Sequence, residues 1–341
     1  MRLKIIDVAR EAGVSVATVD RVLNDRDGVR ARTREIVLKT ARQLGYISDS
    51  AEQLDDSVAH DIVKLHFILP EGSNQFIRRL HDHIETLAKR RESISVTITA
   101  TDTINADLLA QQLREITPDI HGVGFVGIDH PNVRQATKSL ADRGTKIVTL
   151  ASDIHNVPRV TYIGIDNRAA GRLAGYLLKR FMPPNNIGKV ALFAGSLSYR
   201  GHEEREMGFR NLLMEETPYL NIVQLREMMD EPEKAYLEAS ALLDTHPDLS
   251  AIYNIGAGNA GIAKALKERS LDQKIVFIGH EIAQDTQELL LDGTIDAIID
   301  QNPRVEAREA LTILEHAVRN QPFEFHPPRL QVILRENIPD S

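Results

Sequence analysis

The chain has 341 residues, 42% hydrophobic and 26% charged, the composition of a globular protein with room for two or three domains. It holds no cysteine, which excludes disulfides, thiol catalysis and cysteine-bound zinc. Net charge is −8, but residues 1–50 carry ten Lys and Arg against seven Asp and Glu, so a head of +3 precedes a body of −11, the asymmetry of a chain whose head meets a polyanion.

The first 47 residues are helical in pattern and lack strand-like runs. "DVAREAG" is a short amphipathic helix ending at Gly13, which suits a left-handed turn. "SVATVDRVLN" is a second helix with Ser15 as its N-cap. "NDRDG" is a turn cluster, and "ARTREIVLKTARQLGY" is a third helix closed by Gly45. Val8, Ala9, Val14, Val19, Val22 and Leu23 supply a small core. Val16, Ala17, Asp20, Arg21 and Asn24 fall on the opposite face of the second helix, as in a helix that enters a DNA major groove. A small packing bundle would have the same pattern.

Residues 48–61, "SDSAEQLDDSVAHD", are polar and form a linker. From residue 62 apolar runs alternate with helical stretches: "VKLHFIL", "ISVTITA", "GVGFVGI", "KIVTLAS", "VTYIGI", "KVALFAG", "NIVQL", "AIYNI", "KIVFIG" and "DAIID". That alternation predicts parallel sheets covered on both faces, divided between two lobes, with a ligand cleft at the carboxyl ends of the strands. "IYNIGAGNAGIAKAL" contains G-x-G-x-x-G at Gly256, Gly258 and Gly261, with Glu281 twenty positions later, on paper a dinucleotide fingerprint. Such a fingerprint belongs to the first βα turn of its domain, whereas about seven strands precede this one. No nucleophile–base–acid set and no metal spacing stands out, so no enzyme activity, cofactor or metal is expected. No apolar run approaches the ~20 residues of a membrane span, and the charge-interrupted N-terminus is no signal peptide. The expected location is cytoplasmic.

"IIDVAREAGVSVATVDRVLND" followed by "RARTREIVLKTARQLGYI" resembles the head of the lac-repressor/galactose-repressor family, and the similarity runs in order through the whole chain. The resemblance implies an all-α, three-helix helix-turn-helix head (1–47), a hinge (48–61) and an α/β periplasmic-binding-protein-like core (62–341) of two parallel-sheet lobes. Lobe 1 would span about 62–160 plus 292–322, and lobe 2 about 161–291 plus 323–341. It implies a sequence-specific DNA-binding transcriptional regulator, a repressor, working as a homodimer on a near-palindromic operator. A sugar or polyol effector in the interlobe cleft would control it. The ending "RENIPDS" adds no heptad tail, so a dimer is expected.

Residues 16 and 17 match the family's base-reading pair. Val16 and Ala17 cannot hydrogen-bond a base edge and would read thymine methyls or shape. Arg21 would grip a guanine or a phosphate; Ser15, Thr18, Asn24 and Thr33 match phosphate contacts. Asp20, where the family has serine, would accept from a cytosine amine or pair with Arg21 or Arg10. Leu54 matches the family's minor-groove wedge, although Asp49, Glu52, Asp55 and Asp56 crowd it.

For the effector the resemblance implies Asn74 and Phe76 after the first strand, Ser152 after "KIVTL", and Tyr199 and Arg205 in "SYRGHEEREMGF". It further implies Asn259 at the glycine turn, Glu281 in "FIGHE" and Gln301 in "AIIDQNP". A guanidinium can span two hydroxyls or a carboxylate. Asn74 could instead cap a helix, Phe76 could be core, Arg205 and Glu281 could pair, and Gln301 could cap the helix at Pro303. Asp153 lies one step from the acidic residue usual in sugar-binding relatives. The rival readings are a solute-binding protein and a nucleotide-dependent oxidoreductase using residues 256–261.

Overall fold

The computed structural model describes residues 5–23, 29, 31–44, 62–102, 104–183 and 187–339. The chain forms two compact units, Met1–Asp61 and Ile62–Ser341. The linker 48–61, with Leu54, lies outside the described residues, as does Asn24.

The first unit carries α1 (Ile5–Glu11), α2 (Val16–Leu23) and α3 (Ala31–Gln43). Gly13 turns the chain with φ +66, a left-handed conformation that costs glycine nothing. Ser15 caps α2, its Oγ accepting from the Thr18 amide at 3.1 Å. Val8, Ala9, Val19, Val22, Val37 and Ala41 close over one another as a small core.

The second unit contains two sheets. The first has strand order β2-β1-β3-β4-β5, built from β1 (Val63–Pro70), β2 (Ile94–Thr101), β3 (Gly122–Val126), β4 (Lys146–Leu150) and β5 (Thr161–Ile163), all parallel. Its helices are α4 (Gln75–Ala88), α5 (Ala106–Glu115) and α6 (Pro131–Asp142). The second sheet has the order β11-β10-β9-β8-β6-β7. Its strands are β6 (Gly188–Ala194), β7 (Leu220–Glu227), β8 (Leu249–Asn254), β9 (Val276–His280), β10 (Ala297–Asp300) and β11 (Gln331–Ile333). It is covered by α7 (Asn167–Phe181), α8 (Arg200–Glu216), α9 (Pro232–Thr245), α10 (Asn259–Glu268) and α11 (Gln284–Leu291). Central strands such as β3 and β10 are buried at every position, as expected of parallel strands covered on both faces, whereas the edge strand β2 alternates.

The lobe boundaries differ from the expectation at two places. β5, assigned by sequence to the start of lobe 2, pairs with β4 and closes the first sheet. β10, assigned to lobe 1, lies between β9 and β11 in the second sheet; only the helix after it, α12 (Pro303–Val318), crosses back. Ala307, Ala310, Leu311, Ile313 and Leu314 of α12 belong to the first lobe's core. β11, which no apolar run announces, lies in the second sheet antiparallel to β10, within the expected lobe 2. The reason is the same throughout: connections are short, so an element joins the sheet whose uncovered face or edge it meets first. No described helix is long and apolar enough to cross a membrane.

Candidate functional site

A cavity of about 340 Å³ opens at the carboxyl ends of the strands, between the two lobes. In the first sheet the strand order reverses between β1 and β3, in the second between β6 and β8. The segments leaving these strands diverge and leave a crevice at each reversal, and the cavity is where the two crevices face each other. Asn74, Phe76, Ser152, Tyr199, Arg205, Glu281 and Gln301, all expected from the sequence, line it.

Arg205 is set by the crossing of α7 and α8. A Cβ on Gly171 of α7 would collide with the backbone carbonyl of Arg205, and one on Gly208 with that of Arg168, so the two helices can meet only with glycine at both points. This presses α8 inward, and Arg205 is 4% exposed. Its Nε donates to Asn167 Oδ1 and its Nη1 to the Ile255 carbonyl, each at 2.8 Å. Among the described residues no carboxylate lies within 4.0 Å of this buried cation.

Glu281, directly after β9, sits in the left-handed region, φ +69, held by its amide to the Ile299 carbonyl and by Thr286 Oγ1 on its own carbonyl. Gln301 Nε2 donates to Glu281 Oε1. The far atoms of both, Glu281 Oε2 and Gln301 Oε1, are buried without a partner among the described residues. Burial, reinforced by Asp300 nearby, pushes the Glu281 carboxyl up to about 8. Behind it, Glu306 in the first turn of α12 is fully buried, with neither carboxyl oxygen hydrogen-bonded. Burial and then Glu281 push its carboxyl well above the usual range. Burial also lowers the His202 imidazole, to about 4, and the His280 imidazole. Ala151, Met229, Asp230 and Glu281, all lining the cavity, have positive φ. Such backbone conformations cost on the order of 1–3 kcal/mol each and gather where a site over-determines them.

The wall of the first lobe reaches across to the second. Asn74 is the N-cap of α4: its Oδ1 accepts from the Phe76 and Ile77 amides, so those N–H groups are capped rather than open to the cleft. Its Nδ2 donates to Asp230 Oδ2 at 2.9 Å, and Ser73 Oγ donates to the Asp230 carbonyl at 2.8 Å. Asp230 Oδ1 takes the Ala257 amide at 2.9 Å. Ser152 Oγ accepts from the Gly201 amide at 3.3 Å, joining the end of β4 to the start of α8. Phe76 is both core and cavity wall, 4% exposed. Tyr199 is buried beside it, its hydroxyl pKa raised by burial and then by Asp230.

Asn259 departs from its expected place. It lines a smaller cavity of about 110 Å³ rather than the main one. Both ends of its amide are committed inside the lobe, Oδ1 to Asn254 Nδ2 at 2.8 Å and Nδ2 to the His280 carbonyl at 3.0 Å. As the first residue of α10 it ties the ends of β8 and β9 together. The neighbouring glycines serve close approach. Gly258 has φ +89; a Cβ on Gly256 would meet Asp230 Oδ1 at 2.7 Å, and one on Gly261 would strike the Pro232 carbonyl. Asp153 turns away to Arg159, 2.5 Å, and Thr149, 2.6 Å. Gln301 does not cap α12; Asn302 does. Asp230 and His202 went unremarked in the sequence. The rule of inspecting strand ends would have found Asp230, because β7 runs to Glu227 rather than stopping at Leu225.

In the first unit, α2 buries Val19 and Val22 and exposes Val16, Ala17 and Arg21. Thr18, Asp20 and Thr33 are half-buried, and Ser15 is exposed with its Oγ 2.8 Å from Thr18 Oγ1. Arg10 lies 3.9 Å from Asp7.

Residues 4–49 match the model for bacterial regulatory proteins of the lacI family, and residues 62–322 that for the periplasmic binding protein domain. The ribose operon repressor of Halalkalibacterium halodurans is 26% identical over 294 residues, 85% of this chain and 80% of its own. The HTH-type transcriptional repressor PurR of Vibrio vulnificus is 23% identical over 345 residues, 98% of each chain. Among solved structures, the glucose-galactose binding protein GanP of Geobacillus stearothermophilus superposes with a TM-score of 0.73 at 25% identity, over 81% of this chain and 99% of its own.

Proposed function

This chain belongs to the lacI family of bacterial regulatory proteins, and on that premise we propose that it is a repressor, binding a near-palindromic operator as a homodimer and responding to a sugar or polyol. The observation that carries this reading is the convergence of Asn74, Phe76, Ser152, Tyr199, Arg205, Glu281 and Gln301 on one 340 Å³ cavity in a chain whose other unit is a helix-turn-helix. Arg205 and the unpartnered polar atoms of Glu281 and Gln301 supply hydrogen-bond partners for hydroxyls, and Phe76 supplies a flat apolar wall.

In the first unit, the exposed Val16–Ala17 pair reads thymine methyls or shape. Arg21, one turn on, grips a guanine or a phosphate, and Ser15, Thr18 and Thr33 set register on phosphates. A two-fold dimer presents two such helices to two half-sites. Effector binding shifts the rotation of one lobe against the other, which residues 48–61 pass to the heads, with a coupling of about 1–3 kcal/mol.

The test is a fluorescence-anisotropy titration of the upstream DNA of the protein's own gene, with and without a panel of sugars and polyols. One panel member changes operator affinity, and Arg205→Ala abolishes that response while operator binding persists. Equal affinity for all DNA sequences would refute the reading. Sedimentation velocity checks the dimer.

A further inference from the structure

We propose that the effector of this cavity carries a positive charge, as an amine-bearing sugar or polyol does, and that Asp230 and Glu281 are the carboxylates that select it. This rests on the reading of the cavity as an effector site and narrows the class of molecule it takes.

The cavity wall is acidic. Among the described residues five carboxylic acids line it, Glu71, Asp102, Asp230, Glu231 and Glu281, against one guanidinium, Arg205, and the His202 and His280 imidazoles, both lowered by burial. Glu71, Asp102 and Glu231 are exposed at the rim, whereas Asp230 is 5% exposed and lies within. Arg205 offsets Glu281 only in part, from beyond 4.0 Å. Its Nε and Nη1 are committed to Asn167 and the Ile255 carbonyl, and among the described residues no Lys or Arg nitrogen comes within 4.0 Å of Asp230 or Glu281. Asp230 instead receives one neutral donor on each oxygen, Asn74 Nδ2 and the Ala257 amide. It is a nearly buried carboxylate with hydrogen bonds and no counter-ion, an arrangement that is costly in a cavity closed from water.

The unsatisfied groups point the same way. Glu281 Oε2 and Gln301 Oε1 are buried without partners, adjacent through the Gln301–Glu281 hydrogen bond. Burial keeps the Glu281 carboxyl mostly protonated at pH 7, and a cation seated beside it favours release of that proton and turns Oε2 into an acceptor. A hydroxyl brings one donor and also needs an acceptor's partner, whereas a primary ammonium brings three donors and no acceptor. An ammonium ion seated against these groups satisfies the orphaned oxygens and supplies the missing charge, and its charge-assisted hydrogen bonds are the stronger kind. A neutral polyol leaves Asp230 uncompensated, and an acid adds to the excess.

Isothermal titration of the full-length protein at pH 7 with three probes on one skeleton tests this: 1-amino-1-deoxy-D-glucitol, D-glucitol and D-gluconate. The amine should bind about tenfold or more tighter than D-glucitol, and Asp230→Asn or Glu281→Gln should shrink that ratio by weakening the amine more than D-glucitol. Equal or tighter binding of D-glucitol or D-gluconate overturns the charge selection and leaves the effector cavity standing. An amine preference that both variants retain overturns the assignment to these carboxylates. Binding of none of the three overturns this inference together with the sugar or polyol reading.

Discussion

Asn74 and Asp230 meet across the cleft. One amide side chain caps α4 through its oxygen and, through its nitrogen, holds a carboxylate of the opposite lobe at 2.9 Å. Local structure and lobe closure are thus joined in a single residue, and the two roles separate by substitution. Asn74→Asp keeps the helix cap but places a second carboxylate against Asp230. Asn74→Ala loses both. The alanine variant should lose about 1 kcal/mol of stability from the cap, and the aspartate variant little. Both should open the unliganded core, seen as a larger radius of gyration in X-ray scattering. An unchanged radius in Asn74→Asp would show that the bridge does not hold the lobes.

Arg21 is exposed on the same face of α2 as Val16 and Ala17. Arg21→Ala should weaken operator binding by about 1–3 kcal/mol if it reads a base and relax specificity at one position. If it contacts phosphate it should weaken all sequences alike and flatten the salt dependence. Anisotropy at several salt concentrations separates the two, and the thermal midpoint of the core should not move.

The α7–α8 contact leaves no room for a methyl group at Gly171 or Gly208. Either glycine to alanine should cost about 1–3 kcal/mol by forcing the helices apart. Because Arg205 rides on α8, effector affinity should fall further than the loss of stability explains, measured by calorimetry under conditions where the variant is still folded.

Glu306 gives stability a defined pH slope. Its folded carboxyl titrates well above 4.5, its value when unfolded. Below pH about 4.5 both states hold the proton; as pH rises toward the folded value the unfolded chain releases it and the folded one does not, so stability falls. Glu281, pushed up to about 8, contributes in the same direction between 4.5 and 8. Glu306→Gln should therefore raise the melting temperature more at pH 8 than at pH 5, by an amount equivalent to about 1–3 kcal/mol. An equal effect at both values would mean that the carboxyl is not held neutral.

The strand runs and the three head helices were legible because parallel strands buried on both faces read as unbroken apolar segments, and because Gly13 and Ser15 punctuate the turn. β11 was not legible: "QVI" is a three-residue edge with one buried side chain, Ile333, too little apolar content to register. Arg205, Glu281 and Gln301 were found through the resemblance. Their hydrogen-bond partners were not, since Asn167 and Ile255 lie 38 and 50 positions from Arg205. Phe76 looked ambiguous because it is two things at once. Glu306 was hidden for another reason: an acidic residue in a helix's first turn is ordinary on dipole grounds, and only the packing of α12 into the first lobe reveals it as buried.

The crossing of α12 has a consequence for biosynthesis. Leu314 packs over Gly122 of β3, so the face of a sheet whose five strands end at residue 163 waits for a helix that begins at residue 303. On the ribosome that apolar surface stays uncovered while the entire second sheet up to β10 emerges, an interval of several seconds or more at typical translation rates of about 5–20 residues per second. Nascent chains halted after Asp300 should bind chaperones and resist native packing of the first lobe, whereas those halted after Asn320 should not.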